Sequence, residues 1–318
     1  MSMAGDPLPL RPLGIGEIFD RAVTLYVRYF VPIALITIVI VLPLTVVQYF
    51  QSGSSIAAYQ QMGAVIAQAN HPGRNPKVPQ ITNDQIPGWI WLAALVSIIL
   101  LPFSSVAIGV ALARVYEGSY PDWRQCYAAV FRRWGPMLGT LFLSVVIFAA
   151  FVIVGFIGYF VLILLTIFSL RAGVGFGIAF GVLTLLFIIV WLVSLAVAQL
   201  TIACALFSVV LEGLGFAEAI GRAFSRLFNR REFWRAVVTS LAIGAIYLGL
   251  SMLALAVTLA AYFLVHSPLL AAAANGLVTF VHISLLTLLA AVYYFDVRVR
   301  REGMDIQEEL AQLEPRSP

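Results

Sequence analysis

Long charge-free stretches alternate with short charged ones along this chain. No Asp, Glu, Lys or Arg occurs between Arg28 and Arg74, Asp84 and Arg114, Arg133 and Arg171, Arg171 and Glu212, or Arg235 and Asp296. A helix needs roughly 20 apolar residues to cross a bilayer core. The pattern therefore predicts six spans, at 30–50, 89–113, 137–169, 174–211, 236–264 and 269–295, the last two divided by His266-Ser267-Pro268. Helices satisfy their own backbone in lipid, so an α-bundle is the physical choice. Outside the spans the periodicity changes. Ile15, Ile18, Phe19, Ala22, Tyr26 and Tyr29 fall on one helical stripe, with Glu17, Asp20, Arg21, Thr24 and Arg28 opposite. Phe216, Ala219, Ile220, Ala223 and Leu227 repeat the stripe, and Trp123, Tyr127, Val130, Phe131 and Trp134 form a third. Such helices are expected to lie flat in the interface, aromatic face in the lipid boundary.

The repetition is also literal. Leu13-Gly14-Ile15-Gly16-Glu17 with Arg21-Ala22 returns as Leu214-Gly215-Phe216-Ala217-Glu218 with Arg222-Ala223, and a divergent copy runs from Tyr120 to Trp134. Each apolar hairpin closes on a Glu-Gly pair: Glu117-Gly118, Glu212-Gly213 and Glu302-Gly303. Repeats at fixed spacing are an architectural signal. The expectation is an all-α integral membrane protein, a single membrane domain with six transmembrane helices. It comprises three tandem repeats (12–118, 119–213, 214–303), each an interfacial amphipathic helix plus a hairpin, and a tail at 304–318.

Glycine is a good helix stop because it accepts the left-handed conformation. The preceding glutamate opposes the helix dipole, so each is expected either to pair with an arginine, Arg298 being the local candidate for Glu302, or to be solvated at the helix end. Glu17 with Arg21 and Glu218 with Arg222 have the favourable Glu-first spacing of four residues. The middle hairpin is oversized, roughly 50 and 57 Å of helix against a core of about 30 Å. It is expected to kink or to extend beyond the bilayer. Gly173, Gly177 and Gly181 read equally as a helix-packing face or as a turn. The segment 51–88, with a short helix at 55–69 followed by several prolines, is the one sizeable connection on the other side.

Composition agrees: 62% of residues are hydrophobic and 11% charged, against about 25% charged in a soluble domain. All of the 19 basic residues except Arg74, Lys77 and Arg171 fall on the side that carries both termini. Positive-inside bias makes that side cytoplasmic. The net charge of +4 does not point to nucleic acid, because the arginines sit at span ends, where anionic lipid explains them. The start lacks the pattern of a cleavable signal, and two cysteines, Cys126 and Cys204, imply no disulfide framework.

Candidate chemistry is sparse. Of the three histidines, His71, His266 and His282, none has a ligand partner at zinc-site spacing, and no cofactor is expected. His282 lies at membrane depth, where ionisable residues are functional suspects. Asn275 and Ser284 share its helix, and Gln199 and Thr201 are polar groups in another span that face it if the spans pack together. The readings left open are a neutral histidine bonded across helices, a solute or proton path, and catalysis. The last lacks an acid to orient the ring.

Gly16-Glu17-Ile18-Phe19-Asp20-Arg21 resembles the opening of the membrane domain associated with bacterial glycerophosphoryl diester phosphodiesterases. Val210-Leu211-Glu212-Gly213 through Phe233-Trp234-Arg235 is similar to its central motif, and Tyr293-Tyr294-Phe295-Asp296-Val297-Arg298 through Asp305 to its closing one. The resemblance covers nearly the whole chain and implies a bacterial inner-membrane protein. It does not carry over the phosphodiesterase activity, which in fused members belongs to a separate soluble barrel. Two functions follow as expectations. One is a non-enzymatic scaffold or accessory subunit that binds a protein partner or anionic lipid through a cytoplasmic collar. That collar consists of Arg21, Arg124, Arg132, Arg133, Arg222, Arg226, Arg230 and Arg231, with Glu17, Asp20, Glu117, Glu212, Glu218, Asp296, Arg298 and Glu302 as interface or framework residues. The other is a small-solute or lipid transporter with a path near Gln199 and His282, Asn275 being a further intramembrane polar candidate.

Overall fold

A computed structural model describes residues 11–47, 49, 88–261 and 268–303. The loop at 51–87, with the helix expected at 55–69 and with His71, lies outside the described residues. So do His266, the tail from 304 onward and the side chain of Arg231. Every described element is helical: α1 (Ile15–Arg28), α2 (Phe30–Val47), α3 (Gly88–Tyr116), α4 (Trp123–Arg132), α5 (Trp134–Ala172), α6 (Val174–Leu211), α7 (Phe216–Leu227), α8 (Arg230–Ala260) and α9 (Pro268–Glu302). Six of them, α2, α3, α5, α6, α8 and α9, are long and apolar enough to cross a membrane. The chain is a multi-pass, all-α membrane protein.

The second helices of the three hairpins, α3, α6 and α9, pack on one another at the centre. Each short helix docks on one of them: α4 on α3, α7 on α6 and α1 on α9. That docking corrects one expectation. The apolar stripes face protein, not lipid: Ile18, Ala22 and Leu25 of α1, Cys126, Tyr127 and Val130 of α4, and Ala219, Ala223 and Leu227 of α7 are all buried in one continuous core. Close-packed neighbours add dispersion contacts that fluid lipid ends do not match. The larger aromatics on the stripes' edges, Phe131, Trp134 and Phe216, stay exposed and are left for the interface.

The helix ends follow from local chemistry. Glu17 turns back to accept the Gly14 N–H at 2.7 Å, and Arg11 joins it at 3.1 Å. The Arg21 guanidinium lies over the Tyr116 ring. Asp122 caps α4 by accepting the Arg124 N–H, with Pro121 just ahead of the cap. Gly118, Gly213 and Gly303 all have positive φ, at 74°, 73° and 60°, and end α3, α6 and α9.

The hairpin of α5 and α6 runs unbroken for 39 and 38 residues, about 58 and 57 Å at 1.5 Å per residue. The chain reverses at Gly173, whose φ of 152° and ψ of 148° lie in a region essentially reserved for glycine. Gly173 is therefore the turn, while Gly177 is buried within α6. Along the hairpin, Gly155 lies under the Trp191 indole, and Thr166 and Thr184 hydroxyls meet at 3.2 Å. Most of its outer surface, Val154, Phe160 and Val190 among it, is exposed and apolar.

Candidate functional site

Two features stand out: an ionic framework that joins the arginine-bearing helix ends, and cavities at membrane depth beneath it.

At the centre of the framework is Arg226, 5% exposed. It lies on α7 one turn beyond Arg222 and reaches between the ends of α6 and α9. Its Nη1 donates to Glu212 Oε1 at 2.6 Å and its Nη2 to Glu212 Oε2 at 2.8 Å. Nη2 also meets Glu302, and Nη1 donates to Ser208 Oγ at 3.1 Å. Tyr294 donates its hydroxyl to Glu212, and Arg298 donates to Glu302 at 3.1 Å. Arg222 and Arg298 both stand 3.9 Å from Glu212. Two helix-end glutamates thus offset their unfavourable dipole placement through one shared guanidinium, in the bidentate geometry that suits arginine. Burial pushes the Glu212 carboxyl up, but hydrogen bonds from Arg226 and Tyr294 and the charge of Arg226 bring it down to about 2. The third glutamate behaves differently: Glu117 is exposed and has no ion pair among the described residues.

A second knot centres on Asp296, 2% exposed. Its Oδ1 accepts the Leu13 N–H at 2.6 Å, its Oδ2 accepts from Arg235 at 2.7 Å, and Arg300 donates to both oxygens at 3.2 Å. Arg235 and Arg300 also donate to the Leu13 carbonyl, at 2.9 and 2.6 Å. The segment ahead of α1 is thereby tied to α8 and α9. Arg133 donates to the Gly213 carbonyl at 2.9 Å, and Arg301 to that of Ser225.

The expected collar is therefore divided. Arg226 is a buried strut, Arg133 holds a helix turn, and Arg21 stacks on Tyr116. Arg124, Arg132, Arg222 and Arg230 are exposed, as are Asp20, Glu17 and Glu218. Arg222 leans toward Glu212, and Glu218 has no ion pair among the described residues.

Beneath this framework a cavity of about 840 Å³ lies between α3, α5, α6, α8 and α9. Its wall is mostly apolar, but Gln199, His282, Tyr247, Ser105, Thr287 and Ser240 also line it. Gln199 and His282, from α6 and α9, therefore share one space. Thr201 and Asn275 do not: Thr201 donates to its own helix at Val197 and lines a separate cavity, and Asn275 donates to Thr258 Oγ1 at 2.7 Å. The rings of His282 and Tyr247 are 4.2 Å apart between centroids. His282 Nε2 and Ser240 Oγ are buried with no hydrogen-bond partner among the described residues. Unspent polarity of this kind is rare in folded proteins, and both atoms are covered by their neighbours. The lining holds one histidine, no carboxylate and no thiol. Among the described residues no three His, Cys, Asp or Glu side chains come together as a metal site would require.

A smaller cavity of about 360 Å³ lies on the other flank of the α5–α6 seam, under α7. Ser144, Phe148 and Ile202 line both.

No signal in the sequence separates Arg226 from its exposed neighbours beyond its phase: it is the one arginine on the buried stripe of α7. Tyr247 and Ser105 gain their interest only from the space they share. Comparison with known proteins adds nothing to this geometry: no family model, no curated protein and no solved structure matches the chain.

Proposed function

We propose that this is a non-enzymatic protein of the bacterial inner membrane that takes a lipid or a comparable amphiphile into the larger cavity. The observation that carries the reading is the cavity itself. Its volume of about 840 Å³ falls in the range of ligand sites, roughly 300–1,000 Å³. A polar group at membrane depth is costly, yet His282, Gln199, Ser240 and Tyr247 gather on this one wall. Apolar walls with a small polar patch match a ligand that is itself mostly apolar with a polar end. A carboxylate or second histidine to orient His282 is missing from the lining, which argues for binding over hydrolysis.

The reading also takes the arginine-bearing ends as cytoplasmic, with both termini there, and the chain as three copies of one unit. Two patterns favour three copies: each short helix docks on the second helix of a hairpin, and each such helix ends on a left-handed glycine. The likeness to the phosphodiesterase-associated membrane domain points to the same cellular site. A scaffold that docks a protein partner is the second reading, and the exposed Arg124, Arg132 and Arg230 favour it.

Filling the cavity tests the first reading. Gly244 lines it, and a Cβ there meets nothing within 4 Å. Gly244→Trp and Ala203→Trp should each lower, several-fold, the lipid retained per mole of protein after detergent exchange, with helix content unchanged. Equal retention in wild type and both variants would remove the reading and leave the scaffold.

A further inference from the structure

The smaller cavity differs in kind from the larger. Phe148 and Phe151 of α5, Phe224 and Phe228 at the end of α7, and Phe233 of α8 form much of its wall. The last three form a run of rings, with centroids 5.0 Å apart between Phe224 and Phe228 and 5.8 Å between Phe228 and Phe233. Two of its three polar lining side chains are already spent on their own helix: Ser194 donates to Val190 and Thr201 to Val197, each at 2.8 Å, which leaves Ser144. One hydroxyl offers little to a head group. The interior suits a hydrocarbon chain, and its volume of about 360 Å³ is at the small end of the ligand range.

The mouth is another matter. Phe224, Phe228 and Phe151 are 41, 50 and 37% exposed, so the cavity opens outward at the level of α7. Arg230 begins α8 between Phe228 and Phe233 and is exposed, with no ion pair among the described residues. Three and four residues on, Phe233 and Trp234 share its helix face. A cation with no ion pair among the described residues, adjoining in sequence an aromatic rim at a span end, is the arrangement that meets a lipid phosphate at the interface.

We propose that the cavity under α7 is a binding site for one anionic phospholipid, its acyl chain among Phe148, Phe224, Phe228 and Phe233 and its phosphate at Arg230. The site shares Ser144, Phe148 and Ile202 with the larger cavity and is otherwise lined by different residues, so filling each cavity alone separates the two readings.

The test uses the full-length protein in vesicles of phosphatidylcholine doped with either phosphatidylglycerol or phosphatidylcholine carrying a photoreactive acyl chain. Adducts are mapped by mass spectrometry. The phosphatidylglycerol probe should label residues 220–233 at least five-fold more than the phosphatidylcholine probe. Ala198→Trp and Ser194→Trp, which fill only the smaller cavity, should each lose at least four-fifths of that labelling. Ala203→Trp, in the larger cavity alone, should keep it, and Arg230→Gln should bring the two probes level. Equal labelling by both probes in the wild-type protein overturns the proposal, and so does undiminished labelling in the two filled variants. Should Ala203→Trp alone lose lipid, the larger cavity remains the binding site and the smaller one is discarded.

Discussion

Arg226 and Glu212 face each other in a bidentate pair, Nη1 at 2.6 Å from Oε1 and Nη2 at 2.8 Å from Oε2, with side chains only 6% and 9% exposed. The pair ties α7 to the end of α6, and the contact of the same guanidinium with Glu302 brings in α9. Removing one member of a buried pair strands the other charge, which costs about 3–5 kcal/mol, whereas removing both is far milder. Arg226→Met should lower thermal stability in lipid by that amount. Arg132→Ala, at an exposed position, should change it by less than about 0.5 kcal/mol. A stability for Arg226→Met indistinguishable from Arg132→Ala would remove the strut.

The same pair sets a pH dependence. Glu212 is held at about 2 against its ordinary 4.5. A carboxyl lowered on folding contributes stability that is complete above its unfolded value and disappears as pH falls through the folded one. The melting temperature of the wild-type protein should therefore fall more steeply between pH 4.5 and 2 than that of Glu212→Gln. Parallel curves would exclude Glu212 as a source of acid sensitivity.

Asp296 is the carboxylate that Leu13, Arg235 and Arg300 share, while Glu232 also stands 3.4 Å from Arg235. Asp296→Ala leaves two guanidinium groups and a buried N–H without it, and should destabilise by about 3–5 kcal/mol. The segment ahead of α1 should loosen first. A cysteine at position 13, buried in the native chain, should then react with a maleimide many times faster in Asp296→Ala than with Asp296 intact.

Two glycines make a matched comparison. Gly213 has a φ of +73°, and a Cβ there would come within 2.8 Å of the Arg133 guanidinium. Gly221 lies within α7, where a Cβ meets nothing within 4 Å. Gly213→Ala should cost about 1–2 kcal/mol from the left-handed backbone alone, while Gly221→Ala should stabilise by up to about 1 kcal/mol through helix propensity. Thermal unfolding of the two variants side by side checks both signs.

Cys126 is fully buried in α4, and burial pushes its thiol up to about 11. Since the thiolate is the nucleophile, the folded protein at pH 7.5 should resist N-ethylmaleimide at this position and take up the reagent once unfolded. Prompt labelling of Cys126 in the folded state would show that α4 lifts away from α3.

What the sequence by itself determined is one-dimensional chemistry. Charge-free stretches had to cross lipid, and Glu-Gly pairs had to end helices, because both follow from the residues at hand. The Arg298–Glu302 pair is legible for the same reason, since four residues make one helical turn. Phase even hinted at Arg226, which shares a stripe with Ala219 and Ala223. What only the tertiary structure decided is which distant groups meet. Leu13 reaches Asp296 across 283 positions, and Gln199 comes to share a wall with His282 while Thr201, two residues away, lines another space. Local periodicity records that a side chain points off its own helix. It holds nothing about what packs there, and in a lipid-solvated bundle, where apolar residues are content on either surface, the choice between protein, cavity and bilayer is made by packing alone.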